Sequence, residues 1–234
     1  MFDIGANLTS SHFSKDLDVV LNDSLKAGVE KICITSSNLD DVKNAKKITE
    51  KYKNLYYSVG FHPHNAKDFK IEFLKDMSIY LDDPKAICLG EMGLDFNRNF
   101  SSKEEQILCF ESQLSLANSI SKPLFLHQRD AHEEFLSVLD NHKFNQKLIV
   151  HCFTGNLSEL EEYLKRDFYI GITGWVCDLK RGKELRECIN QIPEDKLLIE
   201  TDSPYLSPRK KIRRNEPKFL IDVAEEVATL RNET

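Results

Sequence analysis

The sequence predicts an α/β protein of the (β/α)8, TIM-type barrel class, and three observations carry that prediction. Short apolar, β-branched-rich runs recur eight times along 234 residues. Stretches with apolar residues at helical spacing separate them, and no Pro/Gly/Ser linker or low-complexity segment intervenes. The length suits one barrel of roughly 200 to 250 residues, so residues 1–234 read as a single domain. Consecutive parallel strands need crossover helices of this size. The competing doubly wound sheet usually carries a Gly-rich phosphate loop after its first strand. Here that turn reads Gly5-Ala6-Asn7-Leu8, without a second or third glycine in place.

The predicted strands are, in order, Phe2–Ile4, Lys31–Thr35, Leu55–Val59, Ala86–Gly90, Pro123–Leu126, Lys147–Val150, Phe168–Ile172 and Lys196–Ile199. After the first, Val20, Leu21, Ser24 and Leu25 mark a helix that stops at Ala27-Gly28, just before the second strand. After the fourth, Ser101-Ser102-Lys103-Glu104-Glu105 offers a Ser N-cap with Glu three residues on, a capping box ahead of a long helix. That helix carries Phe110, Leu114 and Ala117 at steps of four and three. After the fifth strand, Phe135, Leu136 and Leu139 share one helix face.

The apolar fraction of 41% and charged fraction of 30% are those of an ordinary globular chain. Six cysteines occur without a C-x-x-C pair, several inside apolar runs such as KICIT and AICLG. They read as reduced, buried thiols. MFDIGANLTSS has neither a basic n-region nor an apolar h-region, and no apolar run approaches the roughly 20 residues that span a bilayer. A cytoplasmic protein is expected (nuclear being open in a eukaryote), with no membrane and no obligate protein partner. The net charge of −6 argues against a generally basic nucleic-acid binder, so any polyanionic substrate must meet local cations or a metal.

In a barrel the carboxyl ends of the strands converge, and what stands there decides the chemistry. The first predicted strand passes from Asp3 to Asn7. The third ends at Gly60-Phe61-His62-Pro63-His64, the fourth at Gly90-Glu91, the fifth at His127, the sixth at His151 and the eighth at Glu200-Thr201-Asp202. Of the seven histidines, only His12 and His142 fall outside this rim, with His132 at its margin. Glu91, His127, His151 and Asp202 supply two imidazoles and two carboxylates. That set suits an open catalytic site for a divalent cation, with Mg²⁺ expected and Mn²⁺ or Zn²⁺ as alternatives. A cation there makes hydroxide available near neutral pH. Asp202 is expected to take the proton from the attacking water. His62 and His64 flank a proline that keeps the pair in a stiff, extended loop, placing one of them to bond a phosphoryl oxygen or protonate a leaving group. Strand alternation turns Cys152 away from His151 and places Glu200 one layer beneath Asp202, where a buried carboxylate needs a partner.

The loop after Asp202 holds Arg209, Lys210, Lys211, Arg213 and Arg214, five cations in six residues. Arg213 and Arg214 are candidates for phosphate oxygens. Trp175 and Tyr205, also in loops after predicted strands, are candidates for stacking on bases.

FDIGANLTS, SVGFHPH, LGEMGLDFNRNFS, LHQRDAH, HCFTG, GITGWVCD, and LIETDSPYL with RRNEP beyond it follow one another from Met1 to about Pro217. In these motifs the chain resembles the TatD family of metal-dependent deoxyribonucleases. The resemblance implies divalent-metal hydrolysis of DNA phosphodiesters by 3′-to-5′ exonuclease action on single-stranded or 3′ ends. It implies Glu91, His127, His151 and Asp202 as metal ligands, Asp202 also as base, His62 and His64 as active-site histidines, and Arg129 of LHQRDAH among the substrate contacts. Many relatives carry His-x-His after the first strand, where this chain has Gly5 and Asn7, a replacement shared by the TatD branch. Family members usually continue into one more helical segment beyond the position of Thr234. Fold alone does not choose the bond cleaved, so a metal-dependent amide or ester hydrolase such as an aminoacyl-tRNA deacylase is the second expectation.

Overall fold

The computed structural model describes residues 1–233 and contains all eight expected strands. They are β1 (Phe2–Ala6), β2 (Lys31–Ile34), β3 (Leu55–Val59), β4 (Ala86–Asp95), β5 (Leu124–Arg129), β6 (Leu148–Val150), β7 (Tyr169–Ile172) and β8 (Leu197–Ile199). A helix follows each in turn: α1 (Leu17–Lys26), α2 (Leu39–Lys51), α3 (Phe73–Leu81), α4 (Lys103–Leu114), α5 (His132–Asp140), α6 (Leu157–Lys165), α7 (Lys183–Cys188) and α8 (Leu220–Arg231). The strands succeed one another in sequence order from β1 to β8, the connectivity of a (β/α)8 barrel. No helix among the described residues is long and apolar enough to cross a membrane. The chain divides into two compact units, one of Met1–Ile34 with the residues from His151 onward, the other of Thr35–Val150.

In the first unit β1 pairs with β2 and β7 with β8, both in parallel. Val20, Leu21, Ile32, Ile34, Ile170, Ile172 and Val223 lie in its apolar interior. Helix α1 ends as expected, with Gly28 at φ +84° just beyond it, a left-handed conformation that glycine adopts without a Cβ penalty. The end of β1 and the turn after it meet the segment that follows β8 here. Asp202 N–H donates to the Gly5 carbonyl at 2.8 Å, and Asn7 N–H to the Ser203 carbonyl at 2.7 Å.

In the second unit β3, β4, β5 and β6 pair in parallel. Leu89, Met92, Leu124 and Leu126 form its interior, and Phe110 of α4 stacks on Phe135 of α5 at 5.5 Å. Such a ring pair adds about 1 kcal/mol beyond its buried area. The expected capping box is present. Ser102 Oγ accepts the Glu105 N–H, while the Glu105 carboxylate accepts the Ser102 N–H. Ala117, expected on the same helix, falls in a short 3-10 turn beyond its end.

Strands β4 and β5 run past their predicted ends at Gly90 and Leu126, to Asp95 and Arg129. Gly90, the expected strand end, and Gly93 beyond it act as spacers. At Gly93 (φ +146°) a Cβ would lie 1.9 Å from the His127 carbonyl oxygen, so only glycine lets β4 continue beside β5. Glu91 therefore sits inside β4, and Asp95 takes the strand end.

Candidate metal centre

Two buried glutamines of α4 build the site in the second unit. Gln106 and Gln113 lie seven residues apart, two helical turns, and so share a face. Gln113 Oε1 accepts the Phe61 N–H at 2.7 Å and its Nε2 donates to the Phe61 carbonyl at 3.0 Å. Gln106 does the same for Asp95, accepting its N–H at 2.8 Å and donating to its carbonyl at 3.0 Å. One helix thus fixes the chain at the residue before His62 and at the last residue of β4. Buried backbone groups need such partners, and each side chain satisfies two.

Held this way, His62, Glu91 and His127 meet. Their ligand atoms all lie within 4.8 Å of one another. His62 Nε2 stands 3.1 Å and His127 Nδ1 3.0 Å from the same Glu91 Oε1. His62 Nδ1 accepts the His64 N–H at 3.0 Å, which turns Nε2 toward the carboxylate. Burial pushes the His62 imidazole down to about pKa 4, against the pull of Glu91, so it is neutral at neutral pH. Two imidazoles and a carboxylate suit a catalytic divalent cation of the Mn²⁺ or Zn²⁺ kind, and accommodate Mg²⁺.

Asp95 carries the next shell of contacts. Its Oδ2 lies 2.6 Å from His64 Nε2 and 3.5 Å from His127 Nε2, while Oδ1 accepts the N–H groups of Asn97 and Arg98 at 2.9 and 2.8 Å. Burial opposes its charge, but hydrogen bonds from His127, His64 and the backbone outweigh burial and hold the carboxyl well below the usual carboxylate range. His62 is expected as an active-site histidine and not as a metal ligand. The structure places it among the ligand atoms and leaves His64, paired with Asp95, on the other side of Pro63.

His151 and Asp202 belong to the first unit. His151 Nδ1 is 3.4 Å from Glu200 Oε2, and Glu200 Oε1 accepts the Cys152 N–H at 2.6 Å, so the buried carboxylate has the partner it needs. Burial pushes the Cys152 thiol far up, which makes it inert. Asp202 has a left-handed backbone (φ 52°), and its Oδ1 accepts the Asn7 side-chain amide at 2.8 Å. Asn7, at one of the replaced His-x-His positions, therefore orients Asp202. Asp3 is fully buried and accepts the Thr201 hydroxyl at 2.6 Å and the Thr201 N–H at 2.9 Å. Burial, only partly offset by those bonds, raises its pKa to about 8.

The substrate candidates divide. Arg214, expected at phosphate oxygens, has its guanidinium in a paired contact with Asp16 at 2.9 and 2.8 Å and a third with Glu216 at 2.8 Å. Arg209 is similarly held by Asp222. Arg213 and Lys210 line a cavity of about 210 Å³ with Arg181 and Asp178. Trp175 lies in a short 3-10 turn with the Arg181 guanidinium 4.9 Å over its ring. Tyr205 is 53% exposed, and Arg129 closes β5. Asp95, Gln106 and Gln113 escaped sequence reasoning. Asp95 followed by two asparagines in LDFNRN signals an Asx turn, and the glutamines lie among Cys109, Phe110 and Leu114 on a buried face.

The family model described as TatD related DNase matches residues 2–234. A protein of Escherichia fergusonii named 3′-5′ ssDNA/RNA exonuclease TatD is 44% identical, over 100% of this chain and 92% of its own length. Among solved structures, a TatD family hydrolase from Entamoeba histolytica superposes with a TM-score of 0.91 at 30% identity, covering 100% of this chain and 92% of its own. A TatD homologue from Escherichia coli gives 0.92 at 26% identity, with coverage of 100% and 91%.

Proposed function

This chain belongs to the TatD-related DNase family, and we propose that it is a divalent-metal-dependent exonuclease releasing nucleotides from the 3′ end of single-stranded nucleic acid. The observation that carries this reading is the convergence of His62, Glu91 and His127. The family match over nearly the whole chain supports reading residues 1–234 as one catalytic domain. The relatives carry nuclease names, and nothing in the structure favours the deacylase alternative.

In this reading Glu91 and His127 hold the cation with His62, and His151 and Asp202 serve as further ligands by their places in the HCFTG and ETDSP motifs. The chemistry such a cation supplies is polarisation of a phosphoryl oxygen and a lowered pKa for attacking water. Mg²⁺ is the working cation, and the imidazoles make Mn²⁺ and Zn²⁺ the comparison. Asp202 accepts the water proton on a carboxylate oxygen, and the Asn7 amide keeps that carboxylate from rotating. His64 keeps Nε2 on Asp95, which leaves Nδ1 to bond a phosphoryl oxygen or protonate the departing sugar oxygen. Arg129, Arg213, Trp175 and Tyr205 bind substrate, the cations at phosphates and the rings at bases. Six cysteines, none in a disulfide and four of them buried, support a reducing, cytoplasmic setting.

The test is metal titration followed by cleavage of a 3′-labelled oligonucleotide, with an EDTA control. Metal-dependent release in the wild type, lost in Glu91→Ala and Asp202→Ala proteins that keep their circular dichroism, is the expected result. Full activity in either variant removes the reading.

A further inference from the structure

Phe100 leaves 55% of its surface exposed on a segment that is otherwise tied down. It lies between β4 and α4, where nearly every neighbour is anchored. Asp95 Oδ1 accepts the N–H groups of Asn97 and Arg98. Asn99 is left-handed (φ 50°), and its amide donates to the Phe96 carbonyl at 2.7 Å. Ser101 Oγ donates to the His64 carbonyl at 3.2 Å and accepts the Lys67 N–H at 3.0 Å, while Gln106 holds the Ser101 carbonyl at 3.0 Å. The exposure of this ring is therefore built in by a rigid mount.

Its position gives the exposure a use. The Phe100 ring centroid lies 4.9 Å from that of His64, with the planes at 88°. The His64 ring lies 4.2 Å from that of His62, whose Nε2 faces Glu91. An exposed aromatic ring thus stands one imidazole away from the candidate ligands. A group held at the cluster by its phosphate would bring an attached ring system within reach of it.

We propose that Phe100 forms a subsite for an unpaired nucleobase, the base of the 3′-terminal nucleotide stacking on its ring. The proposal rests on the nuclease reading and adds the feature that selects the substrate's form. Stacking on phenylalanine requires an open base face that can turn toward the ring, which an unpaired 3′ base offers and one held in a base pair does not. It tolerates any base, since every base has a π-face.

The experiment compares wild type, Phe100→Ala and Phe100→Trp on two single-stranded oligonucleotides in Mg²⁺, one with a normal 3′ base and one ending in an abasic residue. On the normal substrate Phe100→Ala should raise KM about 10-fold with kcat within about two-fold, and Phe100→Trp should restore KM. On the abasic substrate the wild type should already show the raised KM, and Phe100→Ala should add nothing. An unchanged KM in Phe100→Ala, or an equal loss on both oligonucleotides, overturns the subsite and leaves the nuclease reading standing. If the wild type releases no nucleotide with Mg²⁺, Mn²⁺ or Zn²⁺, the nuclease reading falls and the subsite with it.

Discussion

The Gln113 side chain grips the backbone of Phe61 at both its N–H and its carbonyl, at 2.7 and 3.0 Å, one residue before His62 joins Glu91 and His127 in the candidate metal centre. The buried face of one helix in the second unit thereby sets the position of a candidate ligand on a loop. Gln113→Leu keeps the volume and removes both bonds. Each unsatisfied buried group costs about 1–3 kcal/mol. Urea unfolding should show a loss of about 2–4 kcal/mol, together with weaker metal binding. A change below about 1 kcal/mol counts against this role.

Asp95 orients His64 and lies beside His127, so Asp95→Asn should lower metal affinity or turnover roughly 10- to 100-fold, the usual effect of removing a carboxylate behind a metal-site histidine. Isothermal titration with Mn²⁺ and single-turnover cleavage measure the two separately. Wild-type values in both would show that the hydrogen bond at 2.6 Å has no functional weight.

Asp3 predicts the shape of stability against pH. Its folded pKa is raised from 3.8 to about 8, so between those values the folded protein holds a proton that the unfolded chain has released. This contribution is complete below pH 3.8, declines as pH rises and is lost above about pH 8. The slope reaches at most about 1.4 kcal/mol per pH unit for one proton. Asp3→Asn should flatten the decline between pH 5 and 8 in urea titrations, and parallel curves for the two proteins would refute the assignment.

Neighbouring arginines should behave oppositely. Arg213→Ala is expected to raise KM for single-stranded DNA and reduce the salt slope by about 0.7, the loss of one phosphate contact. Arg214→Ala should leave the slope unchanged but lower the urea midpoint, because Asp16 and Glu216 lose their shared cation. Equal salt slopes for Arg213→Ala and the wild type would take Arg213 out of the substrate path.

The strands were legible because each is a compact apolar run, and Glu91 and His127 stand out as candidate ligands because they end such runs, whereas His62 stands out only as an active-site histidine. What escaped notice did so for physical reasons. Asp95 lies beyond two glycines that resemble stop signals, and only the close approach of β4 to β5 shows why glycine is needed there. Gln106 and Gln113 are polar, and a sequence cannot tell a glutamine facing solvent from one holding a backbone segment inside. Arg214 sits in a basic run whose apparent purpose is charge. Its partner Asp16 is 198 residues away, so no local pattern links the two.

The bonds joining Asp3 to Thr201, Gly5 to Asp202 and Asn7 to Ser203 connect β1 and the turn after it to the segment after β8, the first pair separated by 198 residues. Contacts of such long range demand the greatest loop closure and have to wait for it. A chain still leaving the ribosome can hold its first carboxylates and histidines without the aspartate proposed to take the proton from water.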